Sequence, residues 1–445
     1  MGWLRRRWPE CLLLALGCAL RFASLSWASV YDGYDFASHF TVIRWFGEHW
    51  ELPSVYLSRE AFQPPLYYVL MGLLLRARLE PWHLGVPSLI LGCARLGLIQ
   101  LGLVRVLPER RVARLAALAL AAVLPASVHM DGMASNEVLN AFLGTLALVL
   151  VTYVFEDRAR VRNAALLGLV LGLGALTKIS TVALVGAVAV GAALEFAAAR
   201  GRRLRVAKVW SVAFAVLIAT SGWYYARNHH LYGKAFLTSF DHKERAMAES
   251  VDGVPYWKRR SPGFFVGWSA DLYREPYYPI GLQPNPRFFP VLIATTFVDY
   301  YNYYFMAPTG DGDELIEATR PVSRAAFTFS RMSFAGGTLI AAATVAAWLA
   351  AAVACARRRR FAELVLLLAP LFALLGALHF ATQFPFDNLG HIKGTFLQFA
   401  AAPLCGLFGV AFAWMWERRR LRPVAVAELC ALAFVASYSI YCRFF

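Results

Sequence analysis

Along most of this chain, apolar residues run for the length needed to cross a bilayer, about 17 to 25 residues, with short polar segments between the runs. The runs lie at 10–30, 86–107, 112–130, 134–155, 163–178, 181–198, 208–228, 334–356, 361–381, 395–416 and 424–442. Each predicts a membrane-spanning helix, because backbone inside hydrocarbon must satisfy its own hydrogen bonds. The expected fold is therefore an all-α integral membrane bundle of about eleven transmembrane helices. One apolar helix is too short for that role. It starts at Pro64 and reaches only Leu75 before Arg76 and Arg78 interrupt it, about half a membrane thickness, which predicts a re-entrant or interfacial helix. The stretch Phe288–Phe305 mixes apolar residues with a tyrosine cluster, which predicts an interfacial helix at the lipid headgroups.

The polar positions add sidedness. Basic clusters fall at Arg5–Arg7, Arg105–Arg114, Arg158–Arg162, Arg200–Lys208, Arg357–Arg360 and Arg418–Arg422. If the Pro64 helix does not cross, all lie on one face, which the positive-inside rule makes cytoplasmic. If it does cross, the clusters from Arg105 to Lys208 change sides. The expected topology is thus integral to the cytoplasmic membrane, N-terminus inside. The polar loops 31–63, 229–333 and 382–394, the tip at Met130–Met133 and the turn at Lys178 then lie on the external or periplasmic face. The long segment 229–333 holds eleven basic and eleven acidic side chains, so it is balanced rather than a basic patch. Three regions follow: 1–228, an N-terminal transmembrane catalytic module; 229–333, an external region; and 334–445, the C-terminal transmembrane helices.

Composition agrees with lipid as the solvent. Of 445 residues, 59% are hydrophobic and 16% charged, against about 25% charged in soluble domains. A net charge of +16 would suggest a nucleic-acid partner, but the arginines are spent on topology and that reading has no support. The seven cysteines form no CxxC pair and sit in apolar runs, so they read as small buried hydrophobes rather than zinc ligands or a disulfide framework. Arg5–Arg7 followed by an apolar run to Val30 resembles a signal peptide. The run is long for a cleaved core, so an uncleaved first helix is expected.

Chemistry gathers in the first external loop. Asp35 and His39 are four apart and share a helical face. Such a pair serves as base and orienter, holds a divalent metal ion, or is a solvated loop feature. The loop ends in Gln63-Pro64-Pro65-Leu66-Tyr67-Tyr68, a proline-stiffened helix start. A helix N-terminus at membrane depth offers free amides and the positive dipole end to an anion such as phosphate. Asp131, Asn136, Glu137, Lys178, Arg227, His229, His230, His391 and Lys393 sit at helix ends on the same expected face. Arg21 and Arg95 lie inside spans, as snorkelling or paired charges. Asp311 and Asp313 read as a solvated loop. His229 and His230 are adjacent, so at most one would reach a shared site.

An aspartate after the first helix, a histidine four later and a QPPLYY helix start resemble the GT-C glycosyltransferases. More narrowly, they resemble the family related to protein O-mannosyltransferases and the aminoarabinose transferases of lipid A. The Asp131–Asn136–Glu137 turn, Thr177-Lys178 in a helix break, the exit segment Trp223–Gly233 and His391–Phe396, similar to the family's KGRY segment, extend the likeness over residues 10–410. The resemblance implies a bundle of about eleven to thirteen helices with a non-cytoplasmic active site. It implies a sugar donor carried on a polyprenyl phosphate, Asp35 as catalytic base or metal-site residue, and Lys178, Arg227 and Lys393 on the lipid phosphate. Gln63, Tyr67, Asp131, Asn136, Glu137, His229 and His391 are the further substrate-binding candidates. Many relatives read Asp-Glu where this chain has Asp35-Phe36, and the lipid A enzymes carry an acid and a base where Phe62 and Gln63 stand. Those departures count against a zinc site and against the aminoarabinose reaction, and Glu60 does not align with the missing acid.

The expected activity is transfer of a sugar, with inversion, from a polyprenyl-phosphate donor to an acceptor (glycan, lipid or protein) on the external side. Its partners are that donor and membrane lipid. The alternative is a transporter or flippase, which would carry ionisable groups near mid-membrane on repeat-related broken helices. The missing acid leaves a catalytically silent scaffold open.

Overall fold

The computed structural model describes residues 2–27, 35–156, 160–238, 251, 253–276, 287–300, 324–358, 360–385 and 390–444. Among these, regular structure is helical, with no strand. In chain order come α1 (Gly2–Trp27), α2 (Phe36–Glu48), α3 (Leu66–Arg76), α4 (Gly85–Val106), α5 (Arg111–Val123) and α6 (Pro125–Met130). Then follow α7 (Asn136–Glu156), α8 (Arg160–Ala175), α9 (Thr181–Ala198), α10 (Arg203–Tyr232) and α11 (Phe288–Phe297). The chain ends with α12 (Arg324–Arg358), α13 (Phe361–Gln383), α14 (Ala401–Glu417) and α15 (Arg422–Phe444).

Nine helices among the described residues are long and apolar enough to cross a membrane. The other two expected spans take shorter forms. The run 112–130 divides at Leu124, which is extended (φ −60°, ψ 113°), the region a residue before proline is pushed into. Helix α6 restarts with Pro125 in its first turn, where the missing N–H costs nothing. Helix α8 has 16 residues, about 24 Å. Helix α3 has 11 residues, about 16 Å, the half-span that its apolar length predicts.

Lipid tails are as apolar as leucine, so close packing rather than hydrophobic exclusion joins such helices. Helix α8 lies against α10 so tightly that a Cβ at Gly168 would collide with the Ala213 carbonyl. Helix α11 is largely enclosed by protein. Seven of its ten residues are buried, packed on α12, α6 and the segment 394–400. The tyrosine cluster beyond Tyr300 and the Asp311–Asp313 stretch lie outside the described residues.

One axial relation positions everything else. Arg105 donates from Nε to Thr152 Oγ1 at 2.8 Å, sixteen residues along α7 from Asn136, or about 24 Å. The start of α7 and this basic cluster therefore occupy opposite ends of the bundle.

Candidate active site

Asp35 stands immediately before α2 with a left-handed backbone (φ 55°, ψ 28°), a conformation that aspartate tolerates better than most residues yet still pays for in strain. His39 follows one turn later, its N–H bonded to the Asp35 carbonyl at 2.9 Å, so both side chains rise from one face. The Asp35 carboxylate accepts from Lys393 Nζ at 3.4 Å and keeps 41% of its side-chain surface exposed. His39 is buried, and its Nδ1 shares a 2.8 Å hydrogen bond with the Tyr68 hydroxyl.

Four other segments close around this pair. Asn136, at the start of α7, donates to the Tyr68 hydroxyl and to the Thr177 carbonyl, both at 3.4 Å. Lys178, in the turn after α8, pairs with Glu137 at 2.9 Å and donates to Asn136 Oδ1 at 3.4 Å. The ammonium groups of Lys178 and Lys393 lie 5.6 and 5.8 Å from the Phe396 ring centroid, so one aromatic ring faces both cations. The Lys393 segment is clamped by the Gly394 amide, which donates to Thr295 Oγ1 of α11 at 2.9 Å. A Cβ at Gly394 would strike Thr296, so the approach depends on glycine.

The Pro64 turn serves as a brace. The Leu66 amide donates to the Leu176 carbonyl at 2.9 Å, tying α3 to the turn that carries Lys178. Prolines 64 and 65 have no N–H, so the helix start has fewer free amides for an anion than its sequence suggests. The two lysines supply the positive charge instead. Tyr224 of α10 donates to the Phe62 and Gln63 carbonyls at 3.0 and 3.2 Å. Gln63 Nε2 donates to Glu60 Oε2 at 2.9 Å.

The electrostatics separate three titrating groups. Lys393 holds the Asp35 carboxyl below the usual range, with Lys178 adding to it and burial opposing. Burial pushes the His39 imidazole down to about 3, helped by Lys178 and Lys393 and opposed by Asp35. Burial pushes the Glu60 carboxyl up to about 7, and the like charge of Asp35 adds to it. The cluster thus presents an ionised carboxylate, a neutral imidazole and a carboxyl that titrates near neutrality. Glu60, which aligned with nothing in sequence, belongs to the site electrostatically.

Of the residues expected here, Asp35, His39, Asn136, Glu137, Lys178 and Lys393 come together, with Gln63 at the edge through Glu60. Tyr67 does not join them: it is fully buried and meets Tyr68 edge-on at 5.6 Å, and Tyr68 is the ring that reaches His39. Adjacent helical residues diverge by about 100°, and sequence alone does not reveal the rotation of α3. Arg227 lines a small crevice with Gln63, Pro65 and Tyr224, behind the Pro64 turn. His391 is buried edge-on against Phe380, 5.4 Å between ring centroids. His229 is exposed, and among the described residues no hydrogen bond or ion pair links it to the cluster.

Asp131 belongs to a second constellation. It is fully buried, 2.6 Å from Arg21 Nε and 3.8 Å from Arg95 NH1. Arg95 also donates to the Gln398 side chain at 2.9 Å. These arginines are the two in-span cations of the sequence, and their partner is a residue assigned to substrate.

The same donors answer whether a divalent cation fits. Asp35 faces Lys393, Glu137 faces Lys178, and His39 Nδ1 faces Tyr68. Among the described residues no three His, Cys, Asp or Glu side chains converge as a ligand set. Among the described residues, two ammonium groups stand beside the available carboxylates, an arrangement suited to an anion rather than to a cation, and no step below passes through a metal.

The chain is a polytopic helical bundle with the fold of solved oligosaccharyltransferase structures. It is similar to the Archaeoglobus fulgidus oligosaccharyltransferase tethered to an acceptor peptide by a disulfide bond, with a TM-score of 0.55 and 14% identity over 99% of this chain and 56% of that one. It is also similar to archaeal oligosaccharyltransferase AglB from the same organism in complex with an inhibitory peptide and a dolichol-phosphate (TM-score 0.54, 15% identity, 98% of this chain and 56% of that one). A third structure, the A. fulgidus enzyme with Zn and sulfate, gives a TM-score of 0.51 at 16% identity, covering 97% and 53%. The chain spans just over half the length of these structures, and at such identities the likeness is one of fold. No protein-family model matches the sequence, and no curated protein matches it.

Proposed function

We propose that this protein is a membrane glycosyltransferase that moves a sugar from a polyprenyl-phosphate donor to an acceptor hydroxyl or amide, with inversion at the anomeric carbon. The observation that carries this reading is the exposed, strained, ionised Asp35 beside Lys393 and Lys178, which share the Phe396 ring. An ionised carboxylate open at one side is a base awaiting a proton. Two lysines beside it suit the charge that a phosphate leaving group develops. A similar solved structure holds a dolichol-phosphate, a lipid carrier of that chemistry.

The acceptor heteroatom attacks the anomeric carbon and the sugar–phosphate C–O bond breaks on the opposite face. The electron pair leaves on the phosphate oxygen beside Lys178 and Lys393, and the acceptor proton passes to Asp35. The phosphate leaves as an anion, so no general acid is required. Neutral His39, held by Tyr68, packs under Asp35 without competing for its charge. A position at the end of the bundle opposite the Arg105 cluster supports an external site, by the positive-inside rule.

The test incubates purified protein with a panel of polyprenyl-phosphate sugars, beside an Asp35→Asn variant. Release of polyprenyl phosphate by wild type and its loss in the variant support the reading. Turnover unchanged in Asp35→Asn removes Asp35 from the mechanism, and failure to bind any polyprenyl phosphate sinks the proposal.

A further inference from the structure

A groove of about 810 Å³ opens between α4, α7, α12, α13 and α14, far from the Asp35 cluster. It touches α7 from Thr145 to Thr152, about 14 to 24 Å along the helix from Asn136. Its volume is in the range of ligand sites, roughly 300–1,000 Å³. Its walls are mostly leucine, valine, alanine and glycine, with Thr145, Thr152 and Trp414 among them, and Ala346 and Ala350 of α12 are exposed along it. Its rim is charged: Arg110, Arg358 and Arg360 stand there with Glu109 and Glu363. Arg360 is held by Glu363 at 2.7 Å. Among the described residues no carboxylate lies within ion-pairing distance of Arg110 or Arg358.

We infer that this groove is a binding site for an anionic phospholipid, its acyl chains along the alanine-lined wall and its phosphodiester at Arg110 and Arg358. The argument is charge complementarity at one end of an apolar slot. An apolar slot selects a hydrocarbon chain, and two uncommitted guanidinium groups at its mouth select a phosphate. The rim carries three arginines and two carboxylates, and Arg105 and Arg114 reach the lining at Thr152, Leu107 and Pro108, so the mouth favours an anionic over a zwitterionic headgroup. Helices α7 and α14, which wall the groove, lead at their other ends to Glu137 and to the Lys393 segment. A lipid seated there would brace both from the opposite leaflet.

The test titrates delipidated full-length protein in detergent with phosphatidylglycerol or phosphatidylethanolamine of matched chains, read by native mass spectrometry. One phosphatidylglycerol per chain, held about tenfold more tightly than phosphatidylethanolamine, is the expected result. Arg110→Gln with Arg358→Gln should erase that preference and leave the weaker binding of both lipids. Ala350→Trp, at an exposed position, should weaken both by filling the slot. Equal affinity for the two lipids in wild type, or an undiminished preference in the double arginine variant, overturns the proposal. So does concentration-dependent dimerisation that Ala350→Trp abolishes while lipid retention is unchanged.

Discussion

At Asp35 a carboxylate meets one lysine across 3.4 Å and keeps 41% of its side chain exposed, whereas at Asp131 a carboxylate meets two arginines, the nearer at 2.6 Å, and keeps none. The residue types are nearly the same, and the consequences are opposite. A buried carboxylate between two guanidinium groups is closed to solvent, and removing it strands charges in a medium that cannot solvate them. A carboxylate on strained backbone with one long contact has capacity to spare. Enclosure fixes structure, and openness leaves chemistry available.

The largest expected effect tests the open side of this contrast. Asp35→Asn keeps the shape and the tolerance for left-handed backbone, so stability should change by about 1 kcal/mol or less. Sugar transfer should fall by about 10²- to 10⁴-fold, the usual contribution of a positioned base. Release of polyprenyl phosphate measures the first quantity and thermal unfolding in detergent the second. A large loss of stability with activity retained would reverse the assignment of the two aspartates.

Asp131→Asn tests the closed side. Arg21 and Arg95 would be left buried without a counter-charge, a loss of about 3–5 kcal/mol. Unfolding in detergent should show it directly, and any remaining folded protein should keep its pH–activity profile. A variant as stable as wild type would mean that the arginines find other partners.

The contrast also marks what the sequence could disclose. The spans were legible because a helix in lipid must be apolar over a fixed length, and α3 was legible as a half-span for the same reason. Asp35, Lys178 and Lys393 stood out in the sequence through their motifs, and the fold brings them together. The pairing of Asp131 was not legible because its partners, Arg21 and Arg95, are separated from it by 110 and 36 positions, and no local pattern announces it. Glu60 was passed over because its environment is set by burial and by a charge on another element. The inward packing of α11 depended on a surface formed by α12 and the segment 394–400, which hydropathy does not encode.

Glu60 gives a smaller effect with a definite sign. Its carboxyl titrates near 7 in the folded protein against an ordinary value of 4.5, so folding favours the protonated form. Its contribution to stability is complete below about 4.5 and is lost as pH rises toward 7. Glu60→Gln should therefore match wild type at pH 4.5 and exceed it at pH 8 by about 1–3 kcal/mol. Thermal melts at the two pH values check this. An equal change at both would show that Glu60 is not held protonated by its surroundings.

The smallest effect separates two adjacent tyrosines. Tyr68 places its hydroxyl on His39 Nδ1 at 2.8 Å, whereas Tyr67 is buried beside it and faces elsewhere. Tyr68→Phe removes one partner of a buried imidazole, a loss of about 1 kcal/mol. The freed ring can change tautomer or rotate beneath Asp35, so turnover should drop by roughly fivefold, the same energy expressed as a rate. Tyr67→Phe removes a hydroxyl of the same size one position away and should leave turnover unchanged. Paired measurements of turnover and of the His39 ring signals by NMR distinguish the cases. If Tyr67→Phe alone slowed transfer, the rotation of α3 about its axis would be wrong, and with it the face that the Pro64 turn presents to Asp35.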